Sequence, residues 1–385
     1  MTDKMPHKPE NVDELLAALQ ANAAGDFRSA MSLPPAIYHD RNILELECDR
    51  LFRRDWVCLG RAAEMPRTGD YICRDIAGTP VFVVRGRDGA IKSFANICRH
   101  RASRLLNDCG HVSRISCPYH SWTYDLDGQL IGAPFMQESQ DFEVAEIQLQ
   151  EFACEEWLGF VYVSLAPQAT PLSQRLSGLQ NLVADYRIED YVPVFQQEEV
   201  WHTNWKCLVE NFMDAYHIHR VHRNSFARDG SSEELTELFP GDDAYSYHYV
   251  QESESDHSVF AHADNTWLTG ADRYRTWLIN IFPSHVIQLQ PDLLWYLSIL
   301  PAGIDKVSIR WAVSIPAEIL DGATDRQRAI DDVLDLLHLV NSEDRPVVEN
   351  VFRSTGSPAA TQGPLSWLEH NVWQFGRYLA RQLRA

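Results

Sequence analysis

The chain has 385 residues, a formal net charge of −20 and a hydrophobic fraction of 45%, which allows two or three domains with a large buried core. So acidic a surface would repel nucleic-acid phosphates, and no apolar run approaches the length that spans a bilayer, so both kinds of partner are disfavoured. The N-terminus lacks the apolar stretch of a secretory signal and the eight cysteines are dispersed, so we expect a cytoplasmic protein.

The first part of the chain predicts a short helix followed by a small β domain. An amphipathic pattern covers residues 12–24, and a helical turn begins near residue 42. Short segments rich in Val, Ile, Phe and Tyr follow, separated by Gly-containing turns. These segments are Tyr71–Arg74, Pro80–Arg85, Ile91–Asn96 and Gly159–Leu165. They predict an antiparallel β domain that closes near residue 165.

Two cysteine–histidine pairs lie within this β-rich segment. The letters CRH contain Cys98 and His100, and after sixteen residues the letters CPYH contain Cys117 and His120. A zinc finger normally pairs Cys with Cys and His with His. A Rieske [2Fe–2S] cluster needs two cysteines on one iron and two histidines on the other, which two mixed loops can supply. The motif favours a Rieske cluster held by these four residues, with a zinc site as the alternative.

The residues around the pairs fit a cluster. Ser121 and Tyr124 carry hydroxyl groups that can donate hydrogen bonds to cluster sulfurs and raise the reduction potential. Trp122 either covers the cluster or fills the core. Cys109 and His111, between the pairs, have no partner at ligand spacing and are interpreted as bystanders.

After Pro167 the pattern changes to longer helices and strands. Helical patterns cover 171–188, 204–220, 324–341 and 365–384, and a strand is expected near 196–202. The β-like runs between 244 and 316 are Tyr245–Val250, Thr276–Phe282, His285–Gln290, Leu294–Leu300 and Val307–Ile315. Strands followed by long helices predict an α+β unit, with helices packed on an antiparallel sheet. We interpret the acidic run 252–256 as a solvated loop near a pocket mouth.

A second metal site is predicted in residues 204–222, which read NWKCLVENFMDAYHIHRVH. Two histidines and a carboxylate with open positions form the triad that binds non-haem Fe(II). His217 and His222 are five residues apart, about 140° around a regular helix, so they share an ion only if the helix ends or bends between them. His219 and His222 share a face without distortion. The spacing alone leaves both histidine pairs open.

The two motifs together resemble the catalytic α subunit of Rieske non-haem iron oxygenases, and the likeness covers nearly the whole chain from residue 42. The resemblance implies a β Rieske domain at 42–165, a helix-grip catalytic domain at 166–385 and an N-terminal helical segment, 1–41, packed on the latter. In that family an Asp is followed after two residues by His, and after four more by a second His. The resemblance therefore selects His217 and His222 as iron ligands and leaves His219 without an assigned role.

The family also implies two carboxylates. The third iron ligand is an Asp in a segment similar to NSEDRPVVENVF at 341–352, which selects Asp344. The alternatives are Glu343, Asp331, Asp332 and Asp335. Asp214 is similar to the aspartate that connects a cluster histidine of one subunit to an iron histidine of the next in a trimer. The resemblance thus implies a path from His120 through Asp214 to His217. The alternative is that Asp214 only accepts a hydrogen bond from its own histidine.

The function that the resemblance implies is that of a terminal oxygenase. Electrons from a separate NAD(P)H-dependent reductase of the flavin or ferredoxin type would pass through the [2Fe–2S] cluster to the mononuclear Fe(II). No nucleotide-binding glycine motif is present in the chain, which is why a separate reductase is expected. An electron carrier that uses only the Rieske domain, or a zinc-binding interaction protein, would not need the motif at 204–222.

The substrate is open between two classes. We expect hydroxylation, dihydroxylation or demethylation of an aromatic acid or a related aromatic compound. The alternative is monooxygenation of a quaternary ammonium compound of the choline, glycine betaine or carnitine type, for which aromatic rings provide cation–π contacts. The candidate rings are Trp267, Tyr274, Trp277, Trp295 and Tyr296. Asn211, three residues before Asp214, is expected to face the iron site, with packing at a helix turn as the alternative, whereas Phe212 and Met213 are interpreted as core.

Overall fold

The computed structural model describes residues 11–226, 236–239, 241–255 and 259–384. Contacts divide the chain into two compact units, one formed by Phe52–Arg175 and the other by the described residues up to Leu51 and from Leu176 onward. The sequence placed the first boundary at 42 and the second at 165. Residues 42–51 belong to the second unit because their buried side chains, Ile43, Glu47 and Leu51, pack there.

The smaller unit is built on antiparallel strands. Its strands are β1 Val57–Arg61, β2 Asp70–Ile76, β3 Thr79–Arg85, β4 Ile91–Ala95, β5 Cys109–His111, β6 Ile115–Ser116, β7 Thr123–Tyr124, β8 Leu130–Gly132, β9 Glu151–Trp157 and β10 Phe160–Ser164. The larger sheet has the order β1-β10-β9-β4-β3-β2-β5, and β6-β7-β8 form a small separate sheet. The four predicted β segments coincide with β2, β3, β4 and β10, with two of them extending one residue past one or both strand ends, so the prediction of a small antiparallel β domain is confirmed.

The second unit contains a sheet of seven described strands. These are β11 Tyr191–Trp201, β12 Thr236–Leu238, β13 Tyr245–Gln251, β14 Arg275–Ile281, β15 His285–Gln290, β16 Leu293–Pro301 and β17 Val307–Pro316. Their order is β11-β17-β16-β15-β14-β13-β12, and each neighbouring pair is antiparallel. Most side chains of β15, β16 and β17 are buried, as expected when a sheet is covered on both faces.

Helices cover this sheet. The α-helices among the described residues are α1 Val12–Ala24, α2 Arg41–Glu47, α3 Leu172–Arg175, α4 Ser177–Leu182, α5 Trp205–Met213, α6 Ile218–Val221, α7 Ala317–Gly322, α8 Arg326–Thr355 and α9 His370–Gln382; all but α3 belong to the second unit. Helix α5 contacts β14, β15 and β16, α8 contacts β11, and α9 contacts β13 and α1. The α+β class, with helices on an antiparallel sheet, is therefore confirmed. None of the described helices is both long and apolar enough to cross a membrane.

Three helical predictions differ from the structure in extent. The pattern at 171–188 folds as α3, α4 and short 3-10 turns, and the pattern at 204–220 is interrupted after Met213. The pattern that was expected to end at 341 continues through Pro346 to Thr355. Proline removes one backbone hydrogen bond from a helix interior and usually marks its end. Here Val340 before the proline and Val348 and Phe352 after it are buried, so packing against the unit holds the helix on both sides of the proline.

A buried ion pair joins α2 to α5. Lys206 Nζ lies 2.7 Å from Glu47 Oε1, and both side chains are inaccessible to solvent. The Trp205 indole Nε1 donates a 2.7 Å hydrogen bond to Glu47 Oε2. Two charges taken out of water are tolerated only when they are paired and hydrogen-bonded. This pair therefore fixes the start of the helix that leads to the second metal motif.

We expect Lys206→Met to destabilise the second unit by about 3–5 kcal/mol, because Glu47 would remain buried with an uncompensated charge. The double variant Glu47→Gln/Lys206→Met retains an acceptor for Trp205 and removes both charges, so it is expected to recover most of this loss. The measurement is the urea midpoint by tryptophan fluorescence. An unchanged midpoint in Lys206→Met would contradict a stabilising role for the pair.

Candidate metal centres and adjoining cavity

The two loops of the first motif follow strands that belong to the two different sheets of the smaller unit. Cys98 follows β4, and Cys117 directly follows β6. The two cysteine side chains are buried, at 2% and 4% exposure, whereas His100 and His120 are exposed. The imidazole ring centroids of His100 and His120 lie 4.8 Å apart. Each loop thus contributes one inner thiol and one outer imidazole.

This arrangement fits a two-iron cluster better than a single ion. The two thiols interact with each other, and the two imidazoles pair on the solvent side. No three ligand atoms of this quartet lie within 4.8 Å of one another. A tetrahedral zinc ion would need all four atoms around one point. A Rieske cluster, with two cysteines on one iron and two histidines on the other, suits the separation of thiols from imidazoles.

Hydrogen bonds at the sulfurs are supplied by Tyr124 and by the loop backbone. The Tyr124 hydroxyl lies 3.4 Å from Cys98 Sγ and accepts a 3.0 Å hydrogen bond from the backbone N–H of Arg99. Its own proton is therefore available to the sulfur. Burial opposes ionisation of Cys117, but the backbone N–H groups of Tyr119 and His120 outweigh it and lower the pKa of this thiol. A thiolate is the form that binds metal.

The remaining residues of this region take structural roles. The Trp122 indole stacks on the His100 ring, with centroids 4.8 Å apart and an interplanar angle of 10°. His111 Nδ1 lies 2.9 Å from Asp70 Oδ1, away from the sulfurs, and Cys109 is exposed. Ser103, which the sequence analysis did not select, hydrogen-bonds to the Cys117 thiol. No spacing rule points to it, because it reaches the sulfur through the fold of the loop.

The second motif is placed by a break in the helix. Helix α5 ends at Met213, and Asp214 has extended backbone angles, φ −87° and ψ 112°. The short helix α6 then begins after His217 and ends before His222. The expected helix over 204–220 is therefore not continuous, and His217 and His222 lie at the two ends of the four-residue helix α6, as its N-cap and C-cap residues. Because neither histidine lies inside a regular helix, the two rings can face the same point although they are five residues apart.

Three ligand atoms converge at this point. His217 Nε2 lies 3.1 Å from His222 Nε2, and Asp344 Oδ1 lies 3.1 Å from His222 Nε2 and 3.5 Å from His217 Nε2. All three lie within 4.8 Å of one another, and no other described group of His, Cys, Asp or Glu meets this criterion. Two imidazole nitrogens and one carboxylate oxygen are the donor set of a facial non-haem iron site.

The charges around this group fit a divalent cation. Burial lowers the pKa of His217, but the carboxylates of Asp214 and Asp344 outweigh it and raise that pKa to about 10. Carboxylates that favour the charged form of a buried imidazole also favour a bound cation, and metal binding competes with this protonation. The buried Asp344 Oδ1 has no well-formed hydrogen bond among the described residues, which is a further sign of an atom placed for ligation.

The other candidate side chains lie elsewhere. His219 Nδ1 contacts the backbone oxygen of its neighbour Tyr216 at 2.7 Å. The carboxylates of Asp331, Asp332 and Asp335 are exposed on α8. Glu343 contacts the far nitrogen of His222, with Oε2 3.0 Å from Nδ1. Asp214 Oδ2 lies 3.3 Å from His217 Nδ1.

A cavity opens beside the three ligand atoms, walled on one side by the sheet. Antiparallel pairing places His248, Leu278, Gln288 and Trp295 in one row across β13, β14, β15 and β16. Side chains in such a row lie on the same face, and all four line the cavity. The helix side contributes Asn211, Phe212, Ile218, Phe226 and Val340. The wall is therefore mainly apolar, with a few amide and imidazole groups.

The residues expected at the pocket are only partly the ones found there. Of the five candidate aromatic residues, Trp295 lines the cavity and the other four do not. Phe212, interpreted from the sequence as core, is half-buried and lines the cavity, with its ring 5.5 Å from that of Trp295. That interpretation was wrong because the helix turns Phe212 toward the cavity, whereas Met213 is fully buried as expected.

Two more polar residues, Glu252 and His248, line the cavity. Glu252 lines the cavity, as the expectation for the acidic run 252–256 suggested, and Asp256 of that run lies outside the described residues. Burial lowers the pKa of His248 to about 4, so the ring is neutral near pH 7. Its Nδ1 accepts a 2.9 Å hydrogen bond from the Asn371 amide, which assigns the ring proton to Nε2.

Comparison with known families is consistent with both centres. Residues 55–152 match the Rieske [2Fe-2S] domain, and residues 184–385 match the ring hydroxylating alpha subunit (catalytic domain). The chain belongs to the ring-hydroxylating alpha-subunit family. The zinc alternative and the interpretation as an electron carrier without a second domain are thereby set aside. A Rieske [2Fe–2S] cluster and a mononuclear non-haem iron are the cofactors of this family.

Individual relatives share part of the chain. The glycine betaine monooxygenase oxygenase subunit of Chromohalobacter salexigens is 35% identical over 215 residues, which are 55% of this chain and 48% of that protein. The carnitine monooxygenase oxygenase subunit of Escherichia coli K12 is 32% identical over 207 residues, 53% of this chain and 55% of that one. The chain thus spans about half the length of the curated relatives it matches.

Solved structures share the fold across nearly the whole chain. A quaternary ammonium Rieske monooxygenase in complex with L-carnitine has a TM-score of 0.80 at 21% identity, covering 95% of this chain and 99% of that one. Naphthalene 1,2-dioxygenase from Rhodococcus has a TM-score of 0.81 at 20% identity, covering 98% and 99%. Enzymes named for an ammonium compound and for an aromatic hydrocarbon are therefore equally similar to this fold.

We expect Tyr124→Phe to lower the reduction potential of the [2Fe–2S] cluster, because the variant loses the O–H group 3.4 Å from Cys98 Sγ and hydrogen bonds to cluster sulfurs raise that potential. The measurement is a redox titration followed by visible absorption. Ser116→Ala, which removes an exposed hydroxyl bonded to Thr123, is the control. An unchanged potential in Tyr124→Phe would contradict the assigned hydrogen bond.

Proposed function

We propose that the chain is the terminal oxygenase component of an O₂-dependent monooxygenase that acts on a quaternary ammonium compound. The observation that carries the proposal is the convergence of His217, His222 and Asp344 beside a mainly apolar cavity with acidic groups, in a chain of the ring-hydroxylating family. When bound, the Rieske cluster supplies single electrons and the mononuclear iron supplies the site of O₂ activation.

We assign the metal-holding roles residue by residue. Cys98, His100, Cys117 and His120 would hold the cluster, since they offer two inner thiols and two outer imidazoles. His217, His222 and Asp344 would hold the mononuclear iron, since their donor atoms lie within 4.8 Å of one another. The donor set of two imidazoles and one carboxylate leaves coordination positions for O₂ and places the substrate cavity next to them.

Asp214 is proposed to connect the two centres between subunits. Its carboxylate oxygen Oδ2 lies 3.3 Å from Nδ1 of His217, and its side chain is 19% exposed. A carboxylate in this position can accept N–H groups from two imidazoles and orient both. We propose that His120 of a neighbouring chain provides the second N–H in a homotrimer, with electrons supplied by an NAD(P)H-dependent reductase of the flavin or ferredoxin type in the cytoplasm.

The ammonium class is preferred over aromatic acids, which the sequence analysis had placed first. The glycine betaine and carnitine enzymes among the relatives support this order. The cavity supports it as well, because its described lining residues include Asp214, Glu252 and Asp344 but no Lys or Arg. The carboxylate of an aromatic acid would therefore find no basic partner among those residues. An ammonium group meets aromatic rings and the carboxylate of Glu252, which is not assigned to the iron or to a histidine ligand.

Different cavity residues would contact different parts of the substrate. The rings of Phe212 and Trp295 offer faces to a methylated ammonium group. The amide of Gln288, next to Trp295 in the same cross-strand row, can bond a polar group at the other end of the substrate. The apolar side chains of Leu278 and Val340 exclude water around the reacting carbon. Together they would orient an N-methyl or adjacent carbon toward the ligand group.

The test of the function is oxygen uptake by the iron-loaded chain with a generic reductase and NADH. We expect stimulation by one or more of choline, glycine betaine and carnitine, with product formed in step with O₂, and none by benzoate-type acids. The reason is the absence of a basic residue among the described cavity residues. Stimulation by aromatic acids alone would overturn the substrate class but leave the oxygenase assignment intact.

We expect Trp295→Leu to raise KM for the ammonium substrate about 30-fold, because a desolvated cation–π contact contributes about 2 kcal/mol. The uncharged isostere of the same substrate, with carbon in place of nitrogen, should show a much smaller change in its inhibition constant. Trp267→Leu is the matched control, since that indole does not line the cavity. Equal losses for charged and uncharged compounds would contradict cation recognition by Trp295.

We expect Asp214→Asn to retain about three irons per chain, two in the cluster and one at the mononuclear site, yet to consume NADH without matching product formation. The amide keeps the size of the side chain but loses the negative charge that couples the imidazoles. Iron analysis and the ratio of product to NADH are the measurements. Normal product formation in a single turnover of this variant would contradict the proposed bridge.

A further inference from the structure

The far side of His222 is occupied by a second, separately held carboxylate. His222 Nδ1 lies 3.0 Å from Glu343 Oε2, and the same oxygen accepts a 2.7 Å hydrogen bond from the Ser225 hydroxyl. His222 is buried at 3% exposure and the Glu343 side chain is 13% exposed. A carboxylate this far from water needs partners, and Ser225 and His222 are the hydrogen-bond partners that the described residues provide.

This contact determines which nitrogen of His222 faces the iron position. A carboxylate at Nδ1 retains the ring proton on that atom, which leaves the lone pair of Nε2 free for a metal. In the other tautomer an Nε2–H group would donate to His217 Nε2, 3.1 Å away. That hydrogen bond would occupy two of the three proposed ligands at once. Glu343 therefore disfavours the form of the site that cannot bind iron.

Both carboxylates come from one turn of helix α8. Glu343 and Asp344 are adjacent, so their side chains leave the helix about 100° apart and reach opposite nitrogens of the same imidazole. Val340 and Val348, one turn before and one turn after Asp344, are buried at 1% and 2% exposure. Their packing fixes the rotation of the helix, so the two carboxylates hold the His222 ring between them.

We propose that Glu343 is a positioning residue for the mononuclear iron site, acting through His222 and held in place by Ser225. Glu343 does not line the cavity and lies on the side of His222 away from the proposed iron position. It contacts His222, whereas Asp214 contacts His217. The inference rests on the proposed assignment of His217, His222 and Asp344 as iron ligands. Outer carboxylates of this kind typically change metal affinity 10–100-fold when replaced.

The test uses the full chain with its cluster intact, from which the mononuclear iron has been removed by a chelator. Fe(II) is titrated back against a competing chelator to obtain its Kd, and Co(II) is added in parallel to record the visible spectrum of the site. We expect Glu343→Gln to weaken Fe(II) binding about tenfold and Glu343→Ala up to about 100-fold. The Co(II) bands should shift in both variants, since the His222 ring is no longer held.

Two further variants separate positioning from general effects. Asp335→Asn removes the same charge from an exposed position of the same helix and should leave Kd and the Co(II) spectrum unchanged. Ser225→Ala should weaken Fe(II) binding in the wild-type background but have no effect in the Glu343→Ala background. Circular dichroism of each variant distinguishes a change in the site from a loss of fold.

The outcomes distinguish this inference from the proposed function. Wild-type Fe(II) affinity and an unshifted Co(II) spectrum in both Glu343 variants, together with loss of binding in His222→Ala, would overturn the role of Glu343 and leave the ligand assignment standing. Unchanged Fe(II) binding in His222→Ala would overturn the ligand assignment itself, and with it the role of Glu343.

Discussion

Two imidazoles five residues apart cannot face one point on a regular helix, and the second metal motif meets this constraint by placing both histidines outside regular helix. Helix α5 ends at Met213, the chain is extended at Asp214, and His217 and His222 flank the short helix α6. In this arrangement His217 Nε2 and His222 Nε2 lie 3.1 Å apart. This geometry depends on the position of α5, whose start is fixed by the buried Glu47–Lys206 pair. It also depends on α8, which supplies the third ligand atom through Asp344.

The cluster loops and the fold class were predictable because they depend on local pattern. Ligand residues such as Cys98 and His120 occur in short pairs, and strands such as β3 and β15 are short runs of β-branched and aromatic residues between turns. Such signals are contained within a few residues of sequence. The spacing of His217 and His222 required the helix to end or bend if these two residues share an ion. It left the alternative pair of His219 and His222 open.

The parts that were not predictable depend on contacts between distant segments. Helix α8 continues through Pro346 because buried side chains on both sides of it pack on the unit, and no local rule gives that outcome. Phe212 was interpreted as core because an aromatic residue in a helix usually is, and only the rotation of α5 turns it toward the cavity. The partnership of Glu343 with His222 joins residues 121 positions apart, so only the folded chain reveals it.

The division of the site between helices and sheet has a consequence for how such a protein can change. The proposed iron ligands and their carboxylate partners belong to the helical side, whereas the row His248, Leu278, Gln288 and Trp295 belongs to four different strands. A substitution in this row alters the shape and polarity offered to a substrate without moving a ligand. Substrate preference and metal chemistry can therefore diverge independently in evolution, which makes this row the natural place for a library that seeks new specificities.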